Sequence, residues 1–191
     1  MTTSRPAQRT DAVRNRQLIL DATRALVSHA GPGVSMEVIA AAAGVAVGTL
    51  YRHFPTKEAL LQAVVEEKIA VLVSELTAAQ ARVAAGGSAW AELATMFLLL
   101  GHRQAEDRAV KAAVAQTQRT AGRSLEEDEQ HALSLVEELV AAAHAEGTLR
   151  RDVDAADLGW LLQGLPGREV DEATRARCAD VVLAGLRAAA R

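Results

Sequence analysis

The hydrophobic pattern of this chain is helical from one end to the other. Leu18, Ala22 and Leu26 recur every four residues, which predicts a first helix over about residues 11–29, with Asp11 as a good cap. Gly31, Pro32 and Gly33 end it. Ser35 can cap a short second helix over 36–43, residues 44–46 make a turn, and a third short helix covers 47–53. Pro55 and Thr56 interrupt the chain. Thr56 can cap a long fourth helix whose apolar positions are Leu60, Leu61, Val64, Val65, Ile69, Leu72 and Leu76, ending near Gly86 and Gly87. From Ser88, the helical spacing of Trp90, Leu93, Phe97 and Leu100 predicts a fifth helix, and a sixth covers about 105–119. A seventh, about 124–146, carries Leu135, Val136, Leu139, Val140 and Ala143 on one side and stops at Gly147. Asp154 and Asp157 form a capping-box pattern before an eighth helix with the face Leu158, Leu161, Leu162 and Leu165, which Pro166 and Gly167 break. Asp171 starts a ninth that turns Cys178, Val181, Val182 and Leu186 inward. Nothing reads as a strand, so the pattern predicts an all-α chain of about nine helices.

Composition sharpens this picture. Half of the 191 residues are apolar and only 3% are aromatic, a mixture that favours helix and supplies a sizeable core. The net charge of −3 excludes a uniformly cationic nucleic-acid binder, but the charge is unevenly placed. Residues 1–58 hold seven basic side chains (Arg5, Arg9, Arg14, Arg16, Arg24, Arg52, Lys57) against four acids (Asp11, Asp21, Glu37, Glu58), a balance of +3 that leaves −6 for the remainder. A basic head on an acidic body suits a DNA-binding head joined to a partner or effector domain. Cys178 is the only cysteine, so no intrachain disulfide can form, which fits a reducing compartment. The first residues lack the apolar stretch of a signal peptide, and the run Met96 to Leu100 is far too short to span a bilayer. These features make the cytoplasm the expected location, with no membrane partner.

The stretch most informative about function is VSMEVIAAAAGVAVGTLYRHFPTKEALL, residues 34–61. Ala40 and Ala43 are small enough for the two short helices to cross closely, and Gly44 can take the left-handed conformation of a tight turn. Val38, Ile39, Val45, Leu50 and Phe54 can fill a miniature core. That is a helix-turn-helix, whose second helix enters the major groove of DNA. Thr49, Tyr51 and His53 are left over as hydrogen-bond donors and Arg52 adds charge. Lys57 stands at the amino end of the fourth helix, and Ser35 at that of the second, where free amides and the helix dipole favour an anion. Such contacts go mostly to phosphates and set register. Arg5, Arg9, Arg14 and Arg16 are candidates for an arm reaching phosphate or the adjacent minor groove, residues 1–10 being expected to be disordered.

With these residues assembled, the sequence resembles the TetR family of bacterial regulators. The resemblance covers roughly residues 13–72 and is densest in AAGVAVGTLYRHFPTKEAL, residues 42–60; Arg16, Ile19, Leu20, Ala22 and Ala25 also fit the family's first helix. It implies that Tyr51 and His53 contact phosphate, that Thr49 touches phosphate or a base edge, and that Lys57 clamps the backbone. The positions of Val47 and Gly48 often help to read bases in the family. Here Val47 offers only an apolar contact, such as to a thymine methyl, and Gly48 allows close backbone approach. Direct readout is therefore expected to be sparse, with operator shape contributing.

The resemblance further implies a head over residues 11–58 and a helical body over 59–191 that binds an effector and dimerises. Pairing through the last two helices would draw on Leu158, Leu161, Leu162 and Leu165 with Val181, Val182 and Leu186, although the same rows could face the protomer's own core. Trp90, Met96, Phe97, His102, His131 and Trp160 are candidates to line a pocket for a small-molecule effector, with ordinary core packing as the alternative for Trp90 and Phe97. The spacings of His102, His131 and His144 match no compact metal motif, so neither metal nor cofactor is expected. No nucleophile elbow, phosphate-cradling loop or Glu-x-x-His pair points to an enzyme; the acidic run at 126–129 reads as a solvated helix start. The reading is thus a DNA-binding transcriptional regulator, a ligand-responsive repressor acting as a homodimer on a palindromic operator. A non-enzymatic helical interaction module and a helical-bundle enzyme are the alternatives.

Overall fold

The computed structural model describes residues 5–31, 33–117, 123–167 and 169–188. Among them are eight helices: α1 (Arg5–Ala30), α2 (Met36–Ala42), α3 (Val47–His53), α4 (Lys57–Ala84), α5 (Ala89–Thr117), α6 (Arg123–Glu146), α7 (Ala155–Gly164) and α8 (Glu172–Leu186). The only β pairing among them is an isolated bridge between Leu149 and Arg187. No helix among the described residues is long and apolar enough to cross a membrane.

Two expectations change. The fifth and sixth predicted helices are one, because α5 runs straight through Gly101. That glycine is a site of close packing: a Cβ there would lie 2.8 Å from Leu165 Cδ1. The chain up to Thr10 was expected to be disordered, yet α1 already begins at Arg5. The expected boundary at 58/59 also moves. The chain divides within α4 and α5 into two compact units, one holding the residues up to Glu67 and the stretch from Glu106, the other Lys68–Ala105 and the chain from α6 onward.

In the first unit α1 packs on α2 and α3, and α2 packs on α3. The buried row of α1 is Ile19, Thr23 and Val27 with Leu20, one position round from the expected Leu18, Ala22 and Leu26; Leu18 is exposed. Thr23 escaped notice as a core residue because it is polar. Its hydroxyl is satisfied inside the helix by donating to Ile19 O at 2.7 Å. Arg24 and Gln17 both reach Glu67 of α4, at 2.6 and 2.8 Å. Met36, Ile39, Ala40, Leu50, Phe54, Leu60, Leu61 and Val64 are also buried in this unit, whereas Val38, expected in the core, is 51% exposed.

The second unit is built around Leu76 and Ala79 of α4, Leu93 and Met96 of α5, Leu135, Leu139, Val140 and Ala143 of α6, with Leu149, Val153 and Leu186. A smaller cluster joins Phe97, Leu165 and Ala179. Side-chain caps begin α7 and α8 where the sequence places them. Asp154 and Asp157 form a reciprocal capping box on α7, and Asp171 accepts from Thr174 N at 2.7 Å on α8.

Candidate nucleic-acid interface

The turn between α2 and α3 is made by Gly44 at φ +68°, while Val45 N donates to Ala40 O at 3.0 Å. α3 then presents its residues by helical period. Leu50 and the following Phe54 point inward and are buried. Val47, Gly48, Tyr51 and Arg52 are exposed, Tyr51 to 43%. Thr49 and His53 lie on the flank and are half-buried. A Cβ on Gly48 would meet nothing within 4 Å, so its surface is open to a close neighbour. The expected row Val47, Gly48, Thr49, Tyr51, Arg52 and His53 is therefore brought to one face and its rim.

Phe54 is the anchor beneath that face. The His53 ring stands 6.3 Å from the Phe54 ring, and the Arg16 guanidinium lies 5.3 Å above the Phe54 centroid. Arg16 thus braces α1 against the end of α3 while remaining exposed, a packing role that an arm assignment misses. Arg14 is exposed on α1; the side chains of Arg5 and Arg9 lie outside the described residues. Lys57, half-buried, opens α4 just after Thr56, whose Oγ1 accepts from Ala59 N at 3.1 Å.

The start of α2 differs from the expectation of a second open anion site. Ser35 Oγ accepts from Val38 N at 3.4 Å, and the Glu37 carboxylate occupies the same first turn. Its own backbone N–H, and then the Ser35 hydroxyl, hold Glu37 below the usual carboxylate range. Ser35 is in this structure a cap beside a negative charge.

Residues 19–64 match the family described as bacterial regulatory proteins, tetR family, and residues 87–188 match the C-terminal domain of SbtR-like transcriptional regulators. The chain belongs to the TetR family. A TetR transcription regulatory protein of Mycobacterium vanbaalenii is 34% identical, with 94% of this chain aligned to 99% of that one at a TM-score of 0.70. Curated relatives align over only part of this chain and of their own length. The transcriptional repressor KstR of Rhodococcus jostii is 57% identical over 47 residues, 24% of this chain and 22% of KstR. An HTH-type regulator of Staphylococcus aureus is 40% identical over 72 residues, 36% of this chain and 37% of its own length. This TetR-family chain is a DNA-binding transcriptional regulator, with α2 and α3 as its helix-turn-helix.

The expected effector-pocket residues of the regulator do not converge. Met96 and Phe97 belong to the two core clusters, and Trp90 is half-buried under Arg187, whose guanidinium lies 5.5 Å above its ring. His131 is exposed on α6 and Trp160 is 69% exposed on α7. Only His102 borders a cavity of about 190 Å³ within the second unit, between α5 and α8. Arg175 borders it too, and sequence reasoning passed it over because a lone arginine on an amphipathic helix reads as surface. Among the described residues no three His, Cys, Asp or Glu side chains are grouped to hold a metal.

The expected pairing rows divide as well. Leu165 and Leu186 are buried in the protomer's own core, and Leu158, Leu162 and Val182 lean on it. Leu161, Val181 and Trp160 remain exposed.

Proposed function

We propose that this regulator represses transcription in the cytoplasm by seating α3 of each of two subunits in successive major grooves of a palindromic operator. The observation that carries this is the division of α3: Leu50 and Phe54 buried, Val47, Gly48, Tyr51 and Arg52 outward on one face. Tyr51 and His53 bind phosphate from the groove edge, and Lys57 holds the backbone from the start of α4. Arg52 and Thr49 face base edges or phosphate, and Val47 offers an apolar contact. One seven-residue helix covers too little DNA for tight binding, so two heads about one helical turn apart are needed. The exposed apolar side chains of α7 and α8 supply the surface on which two copies pair. The second unit takes a small-molecule effector that favours a dimer unable to span both grooves, and no other cofactor is required.

The test is selection of bound fragments from random DNA, followed by titration with Tyr51→Phe and Lys57→Ala. The selected site should be a two-fold repeat. Tyr51→Phe should weaken binding about tenfold or more on all sequences alike, the value of one hydrogen bond to a charged phosphate. Lys57→Ala should lower the slope of log affinity against log salt by about one contact. Selection of no sequence, with unchanged affinity in both variants, would overturn the reading.

A further inference from the structure

Three helices meet around Phe54, and each brings a hydrogen-bond donor to that corner. α3 ends on His53, Phe54 behind it is buried, and α4 opens at Lys57. α1 packs on α3 and lays the Arg16 guanidinium over the Phe54 ring, 5.3 Å from its centroid. The His53 ring stands 6.3 Å from the same ring, so Arg16 and His53 flank one aromatic side chain.

Arg16 differs from most arginines of the chain in what surrounds it. Arg24, Arg82, Arg103 and Arg150 each pair with a carboxylate. Arg16 is exposed, and among the described residues its one recorded contact is the Phe54 ring, with neither a hydrogen bond nor an ion pair. As a brace alone that contact is weak at an exposed site. The ring draws the cation by its quadrupole but leaves most of the guanidinium N–H groups without an acceptor. It also restricts the rotamers of a long side chain in advance, so an incoming acceptor meets a donor set that is already partly ordered. The acceptors that a guanidinium fork fits best are the paired oxygens of a carboxylate or a phosphate. Since no carboxylate of the described chain takes that place, and the head binds DNA, the backbone phosphate is the acceptor of that chemistry.

We propose that Arg16 is a fixed phosphate clamp of the DNA-binding head. Phe54 is its positioning residue, holding the guanidinium beside the end of α3, and the outward N–H groups take a backbone phosphate next to the one that His53 reaches. The clamp belongs to the packed body of α1 and not to an arm that orders on binding. It deepens the operator-binding reading given above and rests on it.

The test uses the full chain and its selected operator, with one uncharged methylphosphonate at a time placed along each half-site. For the native protein, neutralising the clamped phosphate should weaken binding about tenfold or more, the value of a charge-assisted hydrogen bond. Arg16→Met keeps an unbranched apolar stem over Phe54 and removes the charge and the donors. It should bind the unmodified operator about tenfold or more weakly and be indifferent to neutralisation at that same phosphate. Its slope of log affinity against log salt should fall by about one contact per subunit. Arg16→Lys, which keeps the charge, should recover the slope and part of the sensitivity at that phosphate. A brace that acts only by holding α1 on α3 would leave the methylphosphonate profile and the salt slope of Arg16→Met the same as those of the native protein, whatever it did to Tm. That result overturns the clamp and leaves operator binding intact. Failure of the native protein to select any operator overturns instead the reading on which the clamp rests, and the clamp with it.

Discussion

At the scale of single residues, the outward face of α3 explains how this head can recognise DNA with few base-reading groups. Val47 is exposed and apolar at the amino end of the helix, and Gly48 beside it leaves room for the backbone to come close. The partner such a pair fits is a thymine methyl, since polar base edges would lose their water to Val47 with nothing in exchange. Burial of one methyl group contributes about 0.8 kcal/mol, roughly a fourfold change in affinity. Replacing thymine by uracil at the contacted position should therefore weaken the native protein about fourfold and leave Val47→Ala nearly unaffected. Equal sensitivity of both proteins would place discrimination in DNA shape. Leu50 and Phe54 are legible as core residues, whereas the exposure of Val47 and Tyr51, which share their i, i+3, i+4 stripe, is not fixed by the helical period. The stacking of Arg16 on Phe54 was not legible, because the two are far apart in sequence and meet only once α1 crosses α3.

At the scale of elements, most boundaries marked by caps and glycines were read well, although Asp11, expected to cap α1, lies inside it; boundaries inferred from interrupted periodicity were not. Ser35, Thr56, Asp154 and Asp171 cap the helices they were expected to cap, because each has a side-chain oxygen placed to accept an amide one turn on. The expected break between a fifth and a sixth helix does not occur, and Gly101 within α5 serves close approach to Leu165. Ser88 caps α5 as expected, accepting from Ala91 N at 3.3 Å, and a second cap, hidden from local reading, comes from the end of α6. Glu146 accepts from Ala89 N at 2.6 Å, from Trp90 N at 3.4 Å and from the hydroxyls of Ser88 and Thr148. The Ala89 amide first, then Trp90 and the two hydroxyls, hold its carboxyl below the usual range against a smaller opposing effect of desolvation. A depressed folded value stabilises above the ordinary glutamate value of 4.5, and that stabilisation is lost as pH falls through the folded value. Glu146→Gln should cost on the order of 0.5–1 kcal/mol near neutrality once solvent screening is allowed for, about 1–4 °C in Tm. The gap between the two proteins should close as the pH is taken well below 4.5. Thermal denaturation across that range checks it; a gap of constant size would mean that the charge of Glu146 contributes nothing.

At the scale of the whole molecule, the sequence established that two kinds of surface must exist, one for DNA and one for a second copy, but it spread the second too widely. Rows of leucine on α7 and α8 are equally good for a protomer core and for a seam, and periodicity cannot tell the two apart. Packing does: Leu165 and Leu186 are consumed inside the protomer, leaving Trp160 at 69% and Val181 at 68% exposure with Leu161 beside them. A tryptophan so exposed is the type of side chain that dominates interfaces, because it buries a large area at little cost in conformational entropy. It also sits where small neighbours, Ala156 and Gly164, allow another helix to approach closely. Trp160 is thereby moved from a pocket residue to the proposed centre of pairing. Trp160→Ala should raise the dimer dissociation constant by about thirtyfold or more, the loss of some 2 kcal/mol expected at an interface hot spot. Because each head alone grips DNA weakly, operator binding should fall with it and recover at higher protein concentration, while affinity for an isolated half-site stays unchanged. Sedimentation equilibrium paired with full-site and half-site titrations distinguishes the outcomes. If the variant remains dimeric at native concentrations, two copies pair through some other face.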